Sequence, residues 1–138
     1  MHFLVYVSSA SIPLSGSELE NLLVKCRANN AKAGLTGLLL YKDGNFIQML
    51  EGERAAVDEA FRKIQLDPRH HGIIELLEGE TPAREFSEWS MGLRDLRSPE
   101  AQRVPGYSEF LNSSLLSEEF TRNPSRARKL LLIFKAHM

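Results

Sequence analysis

Two polar side chains sit where an ordinary core strand would be apolar. Tyr6 lies in the middle of HFLVYVS, residues 2–8, and Gln48 in the middle of FIQML, residues 46–50. A buried amide must find hydrogen-bond partners or destabilise the fold. If the two runs are neighbouring strands, Tyr6 and Gln48 can face the same side of the sheet. A phenol suits a coupled electron and proton step, and an amide both donates and accepts without carrying charge. A second polar feature is Asn29-Asn30, which ends a helical pattern lined by Leu22, Leu23 and Cys26. Cys26 and Asn30 are four apart and share one side of that helix. These groups fit either a core with incidental hydrogen bonds and a helix closed by asparagines, or a pocket between two helices. Such a pocket would suit a flat ligand with apolar faces and a polar edge.

Other chemistry is poorly supplied. The histidines are His2, His70, His71 and His137. Adjacent His70 and His71 would point to opposite faces of a strand, and no chelating spacing is present, so no metal site is expected. Ser8-Ser9 has no nearby base and no glycine elbow, and there is no glycine-rich phosphate loop. The tail carries Arg122, Arg126, Arg128, Lys129 and Lys135 with no acid after Glu119. That pattern suits a solvated helix near its C-terminus better than a nucleic-acid surface.

The elements that must position these groups follow from periodicity and turn residues. Residues 2–8 predict a buried strand. Ser17 and Glu20 have capping-box spacing, and Leu19, Leu22, Leu23 and Cys26 predict a helix to about Asn30, stopped near Gly34. The runs LTGLLLY (35–41) and FIQML (46–50) flank Asp43-Gly44, a strong hairpin signal. They barely alternate, so both sheet faces should be covered. Val57, Ala60, Phe61 and Ile64 predict a second helix ending before Asp67-Pro68. Residues 72–77 and 86–93 predict two further strands. Beyond Asp95, a short helix near 107–111 and an amphipathic helix through Ala127, Leu130, Leu131 and Phe134 are expected. The order is βαββαββ: an α+β, ferredoxin-like fold with a mixed five-stranded sheet. Two helices cover one face and C-terminal helices cap the other. Residues 1–95 form the main domain and 96–138 a helical extension.

Composition agrees with a globular domain. The 138 residues are 43% apolar and 25% charged, with 17 basic and 18 acidic side chains and a net charge of −1. Nothing in that balance draws the chain to nucleic acid or to an anionic membrane. A lone cysteine suits a reducing, cytoplasmic setting. No segment approaches the ~20 apolar residues of a membrane span, and the N-terminus lacks the features of a signal peptide.

With its motifs in view, the first ~95 residues resemble the BLUF family, the blue-light sensing domains that hold a flavin. The matching pieces, in order, are Val5-Tyr6 with Ser8, Asn29-Asn30, GLTGLLLY (34–41), FIQMLEG (46–52), DPRH (67–70) and REFSEWSMG (84–92). The resemblance implies that Tyr6 is the photoactive tyrosine. Gln48 would lie between it and the N5/O4 edge of the flavin, and Asn30, beside Asn29, would bind the pyrimidine end of the ring. Trp89 and Met91 match the fifth-strand pair whose surroundings change on signalling. Lys63 and Asp67 match positions flanking the ribityl or phosphate part. The implied cofactor is FAD, with FMN or riboflavin also possible. The implied activity is photoreception without turnover, passed to a downstream protein or through a homo-oligomer. A small ferredoxin-like hydrolase or a non-photoactive ligand-sensing module are the competing possibilities.

Overall fold

The computed structural model describes residues 1–12, 14–42, 44–86, 91–95, 128, 129, 131 and 132. In chain order the elements are β1 (His2–Ala10), α1 (Gly16–Ala33), β2 (Thr36–Lys42), β3 (Asn45–Gly52), α2 (Arg54–Leu66), β4 (His70–Glu80) and β5 (Gly92–Asp95). The five strands form one sheet in the order β4-β1-β3-β2-β5. The first four are antiparallel to their neighbours, and β5 joins β2 in parallel. This is the expected ferredoxin-like arrangement with one added strand.

Helix α1 starts two residues earlier than the Ser17–Glu20 spacing suggested. Ser15 is the N-cap: its hydroxyl accepts from the Glu18 amide, and the Glu18 carboxylate accepts from the Ser15 amide, each at 3.2 Å. S-x-x-E occurs twice in overlapping frames, and the first frame satisfies the free amides at the helix start. Gly34 ends α1 in the left-handed region (φ 72°), which a residue with a Cβ adopts at a cost. The β2–β3 hairpin turns at Gly44, again with positive φ (80°).

The last strand also differs from expectation. It begins at Gly92 rather than near Phe86, because the Phe86 amide is taken by the Glu51 carboxylate instead of a ladder partner. Residues 87–90, including Trp89, and the expected helix at 107–111 lie outside the described residues.

One sheet face packs on the helices. Leu4, Tyr6, Leu39, Tyr41, Phe46 and Leu50 of the strands meet Leu19 and Leu23 of α1 and Val57 of α2. On the other face Phe3, Val5, Val7, Ile47 and Met49 are buried as well. Helical residues of the tail contribute there: Leu131 is fully buried, and the Arg128 guanidinium stands 5.1 Å from the centre of the Phe3 ring. Covering both faces explains why β2 and β3 read as continuous apolar runs. None of the helices among the described residues is long and apolar enough to cross a membrane.

The pairing of β2 and β3 tolerates no side chain at Gly37. A Cβ there would stand 1.9 Å from the Met49 carbonyl oxygen. Replacing Gly37 with Ala must therefore push the two strands apart, and overpacking of this kind costs about 1–3 kcal/mol. The expected result is a lower urea midpoint with an unchanged slope; an unchanged midpoint would contradict the close approach.

Candidate functional site

Between α1, α2 and the sheet lies a cavity of about 370 Å³, within the roughly 300–1,000 Å³ of small-molecule sites. Its apolar lining includes Leu22 from α1, Leu39, Phe46 and Leu50 from the sheet, and Ile64 from α2. Polar groups enter at defined points. Tyr6 and Gln48 come from the sheet floor, and Asn29 and Asn30 from the last turn of α1.

The floor is set by register. Tyr6 on β1 pairs directly with Gln48 on β3, and Gln48 pairs with Leu39 on β2. Paired residues on antiparallel strands put their side chains on the same face, so the phenol and the amide must meet. The Tyr6 hydroxyl donates to Gln48 Oε1. At the other end of the amide, Gln48 Nε2 donates to the Met91 sulfur at 3.2 Å. Both Gln48 and Met91 are buried. Among the described residues, Met91 thus stands against the glutamine. Its position is held from α1, where Arg27 Nε donates to the Met91 carbonyl oxygen at 2.9 Å.

Burial pushes the Tyr6 phenol far above its ordinary range, with smaller contributions from Cys26 and Asp67. The group is therefore a neutral donor. Phe61 of α2 packs on it with ring centres 5.5 Å apart. Cys26 also lines the cavity, and burial raises its thiol. It too is a neutral group at ordinary pH.

The asparagine pair divides. Asn30 is 9% exposed, while Asn29 is exposed at the cavity edge. Lys63 and Asp67 both line the opening on the α2 side. Lys63 extends into solvent, 4.0 Å from Glu59. Asp67 is bound by Arg69, whose Nε lies 3.0 and 2.9 Å from its two carboxylate oxygens. That hydrogen bonding lowers the Asp67 pKa. His70 is placed by Ser8 Oγ at 3.0 Å and the Ile64 carbonyl at 2.6 Å, while His71 is exposed.

Sequence reasoning assigned no role to Glu51, yet it organises the approach to β5. Its side chain is fully buried. It accepts from Thr36 Oγ1 at 3.1 Å, the Glu85 amide at 2.6 Å and the Phe86 amide at 2.8 Å. Arg84 closes the same cluster, donating to Thr36 Oγ1, the Glu51 carbonyl and the Gly34 carbonyl at 3.0, 3.3 and 2.7 Å. An acid at the end of the run FIQML carried the same signal as Gln48: a polar group in an apolar strand.

The sequence profile described as "BLUF: Sensors of blue-light using FAD" matches residues 1–92. The chain belongs to the BLUF family. These residues are accordingly a flavin-binding blue-light sensor. A curated relative, the "Blue light- and temperature-regulated antirepressor BluF" of Escherichia coli (strain K12), is 38% identical over 87 residues, 63% of this chain and 22% of that protein. The "Photoactivated adenylate cyclase subunit beta" of Euglena longa is 34% identical over 89 residues, 64% of this chain and 10% of that protein. The chain thus matches only a minor part of these longer relatives. Among solved structures, "BlrB - a BLUF protein, dark state structure" superposes with a TM-score of 0.76 at 28% identity, covering 99% of this chain and 96% of that one. A bacterial light-regulated adenylyl cyclase gives 0.78 at 30% identity, covering 95% of this chain and 39% of that chain.

In this BLUF chain the Glu51 cluster is testable apart from photochemistry. Glu51→Ala removes the carboxylate that accepts from the Glu85 and Phe86 amides, and a hydrogen bond to a charged group is worth about 1.5–3 kcal/mol. A drop of that size in unfolding free energy is the expected result, measured by denaturant titration; wild-type stability would remove the cluster's structural role.

Proposed function

We propose that the flavin ring occupies the cavity above Tyr6 and Gln48, and that the Tyr6–Gln48 hydrogen bond is the light-sensitive element. The observation that carries this is the buried amide spanning two partners, with Tyr6 on its oxygen and Met91 on its nitrogen. The residues present suit a flavin: the walls are apolar, and amides stand where a ring edge needs both donors and acceptors. Asn30, with Asn29 at the rim, holds the pyrimidine end. Lys63 and Asp67 flank the ribityl or phosphate part as it leaves the cavity. FAD is the favoured cofactor, with FMN and riboflavin able to use the same ring contacts.

A flavin held between these residues would supply blue-light absorption and an excited state able to take up an electron and a proton, with Tyr6 as the donor. The protein's part is donation and rearrangement. Tyr6 keeps its proton because burial makes the phenolate costly. Turning the Gln48 amide about its terminal torsion exchanges Oε1 and Nε2 between Tyr6 and Met91 without moving charge through a buried site. Met91 then loses its amide donor, and β5 leads on toward the tail.

We read the chain as a sensor without turnover. Both His70 ring nitrogens are engaged by Ser8 and a backbone carbonyl, and burial keeps the Cys26 thiol protonated. Output passes to a downstream protein or through a homo-oligomer in the cytoplasm, with no direct role for nucleic acid or membrane. The contacts of Arg128 with Phe3 and with Glu85 (3.4 Å) make the extension, residues 96–138, the natural relay.

Blue light should produce a small, reversible red shift of the bound flavin's absorption. Tyr6→Phe and Gln48→Leu should each retain flavin and lose the shift; a normal shift in either variant would refute the assigned roles. Deleting the residues after Pro99 should leave the red shift in place and abolish any light-dependent change in size on gel filtration. Persistence of that size change would place the output elsewhere.

A further inference from the structure

Away from the cavity, the fold gathers three potential metal ligands that are far apart in sequence. His2 begins β1, Asp58 lies on α2 and Glu78 lies on β4. One imidazole nitrogen and one oxygen from each carboxylate all lie within 4.8 Å of one another. Tetrahedral zinc with bonds of about 2.0–2.2 Å needs ligand atoms about 3.3–3.6 Å apart. The two carboxylates are exposed, so their side chains can make that adjustment.

The imidazole supplies an independent indication. His2 is only 4% exposed. Its Nδ1 is 2.8 Å from Glu80 Oε1, and its buried Nε2 makes no hydrogen bond. That second nitrogen faces Glu78 Oε2 at 3.4 Å. A carboxylate on Nδ1 favours the tautomer with the proton there and leaves the Nε2 lone pair facing Glu78, with an Asp58 oxygen in the same cluster. This is the outer-shell arrangement that orients metal-binding histidines. Asp58 is held otherwise by a 3.8 Å contact with Arg54, in which both side chains are exposed, a pairing worth little, and it also lies near enough to Glu75 to act on its charge.

We infer that His2, Asp58 and Glu78 form a binding site for a divalent transition-metal ion such as Zn²⁺, with Glu80 as its positioning residue. A nitrogen ligand favours zinc, nickel or copper over magnesium and calcium, which prefer all-oxygen sites. A bound ion would join β1, β4 and α2. The competing arrangement of the same atoms is an imidazolium held between Glu80 and Glu78, with no ion.

Equilibrium dialysis of the flavin-loaded full chain against Zn²⁺, with bound metal measured by mass spectrometry, separates the two. One zinc per chain is expected, with an affinity in the micromolar range or tighter and a matching zinc-dependent rise in melting temperature. Asp58→Asn and Glu78→Gln change exposed side chains and should weaken binding at least tenfold while the flavin spectrum is retained. Glu80→Gln should weaken it by about 10- to 100-fold through loss of orientation. Cys26→Ser and His71→Gln should bind zinc as the wild type does. Wild-type binding no tighter than that of Glu78→Gln, equal occupancy by Mg²⁺, or loss of zinc with His71→Gln instead would overturn the site.

Discussion

The structure turns on one buried hydrogen bond, from the Tyr6 hydroxyl to the Gln48 amide across β1 and β3. It constrains the sheet as a whole. The two residues meet only in the register that pairs 6 with 48, and a slip of one residue would send one of them to the opposite face. That register is held by apolar neighbours alternating between two covered faces, with Leu4 and Leu50 toward the helices and Val5 and Met49 away. The helices then have to stand off from the pair far enough to leave a cavity. Asn30 is brought to its wall because α1 runs on to Gly34 before it stops.

Much of this was legible in the residues. Tyr6 and Gln48 announced themselves as polar groups inside apolar strands, and Asp43-Gly44 identified β2 and β3 as a hairpin. The element order followed from two helical periodicities separated by short apolar runs. Local detail was harder where two local signals competed. The two overlapping S-x-x-E frames could not be ranked without knowing which gave both reciprocal hydrogen bonds. The start of β5 was misplaced for a non-local reason: Phe86 has strand-like composition, but its amide belongs to Glu51, a residue on another strand. The grouping of His2 with Asp58 and Glu78 is likewise a product of sheet order and helix placement, which no spacing along the chain reveals.

The partner chosen for the far end of Gln48 has a physical logic. A thioether is a weak, polarizable acceptor, so under the proposed rearrangement the amide would give up little on turning away. Backbone carbonyls or carboxylates in that position would hold the amide more firmly. Firm contacts lie instead on either side of it. Arg27 fixes the Met91 carbonyl from α1, and Glu51 fixes the Phe86 amide from β3. If the Gln48 contact exchanges as proposed, rigid supports around it would let a small change in hydrogen bonding be transmitted rather than absorbed by the surroundings.

The sheet order has a consequence for how these chains behave when crowded together. β4 is an eleven-residue strand at the sheet's edge, the sort of exposed backbone on which another chain's strand could be templated. Its pairing with β1 shifts register twice, and its outer stretch carries Glu75, Glu78 and Glu80, all exposed. The irregular path spoils the straight ladder that a second strand would need, and the carboxylates of two such edges would repel each other. At the opposite edge, β5 spans four of the described residues. The β4 margin of the sheet is thereby protected from runaway strand addition.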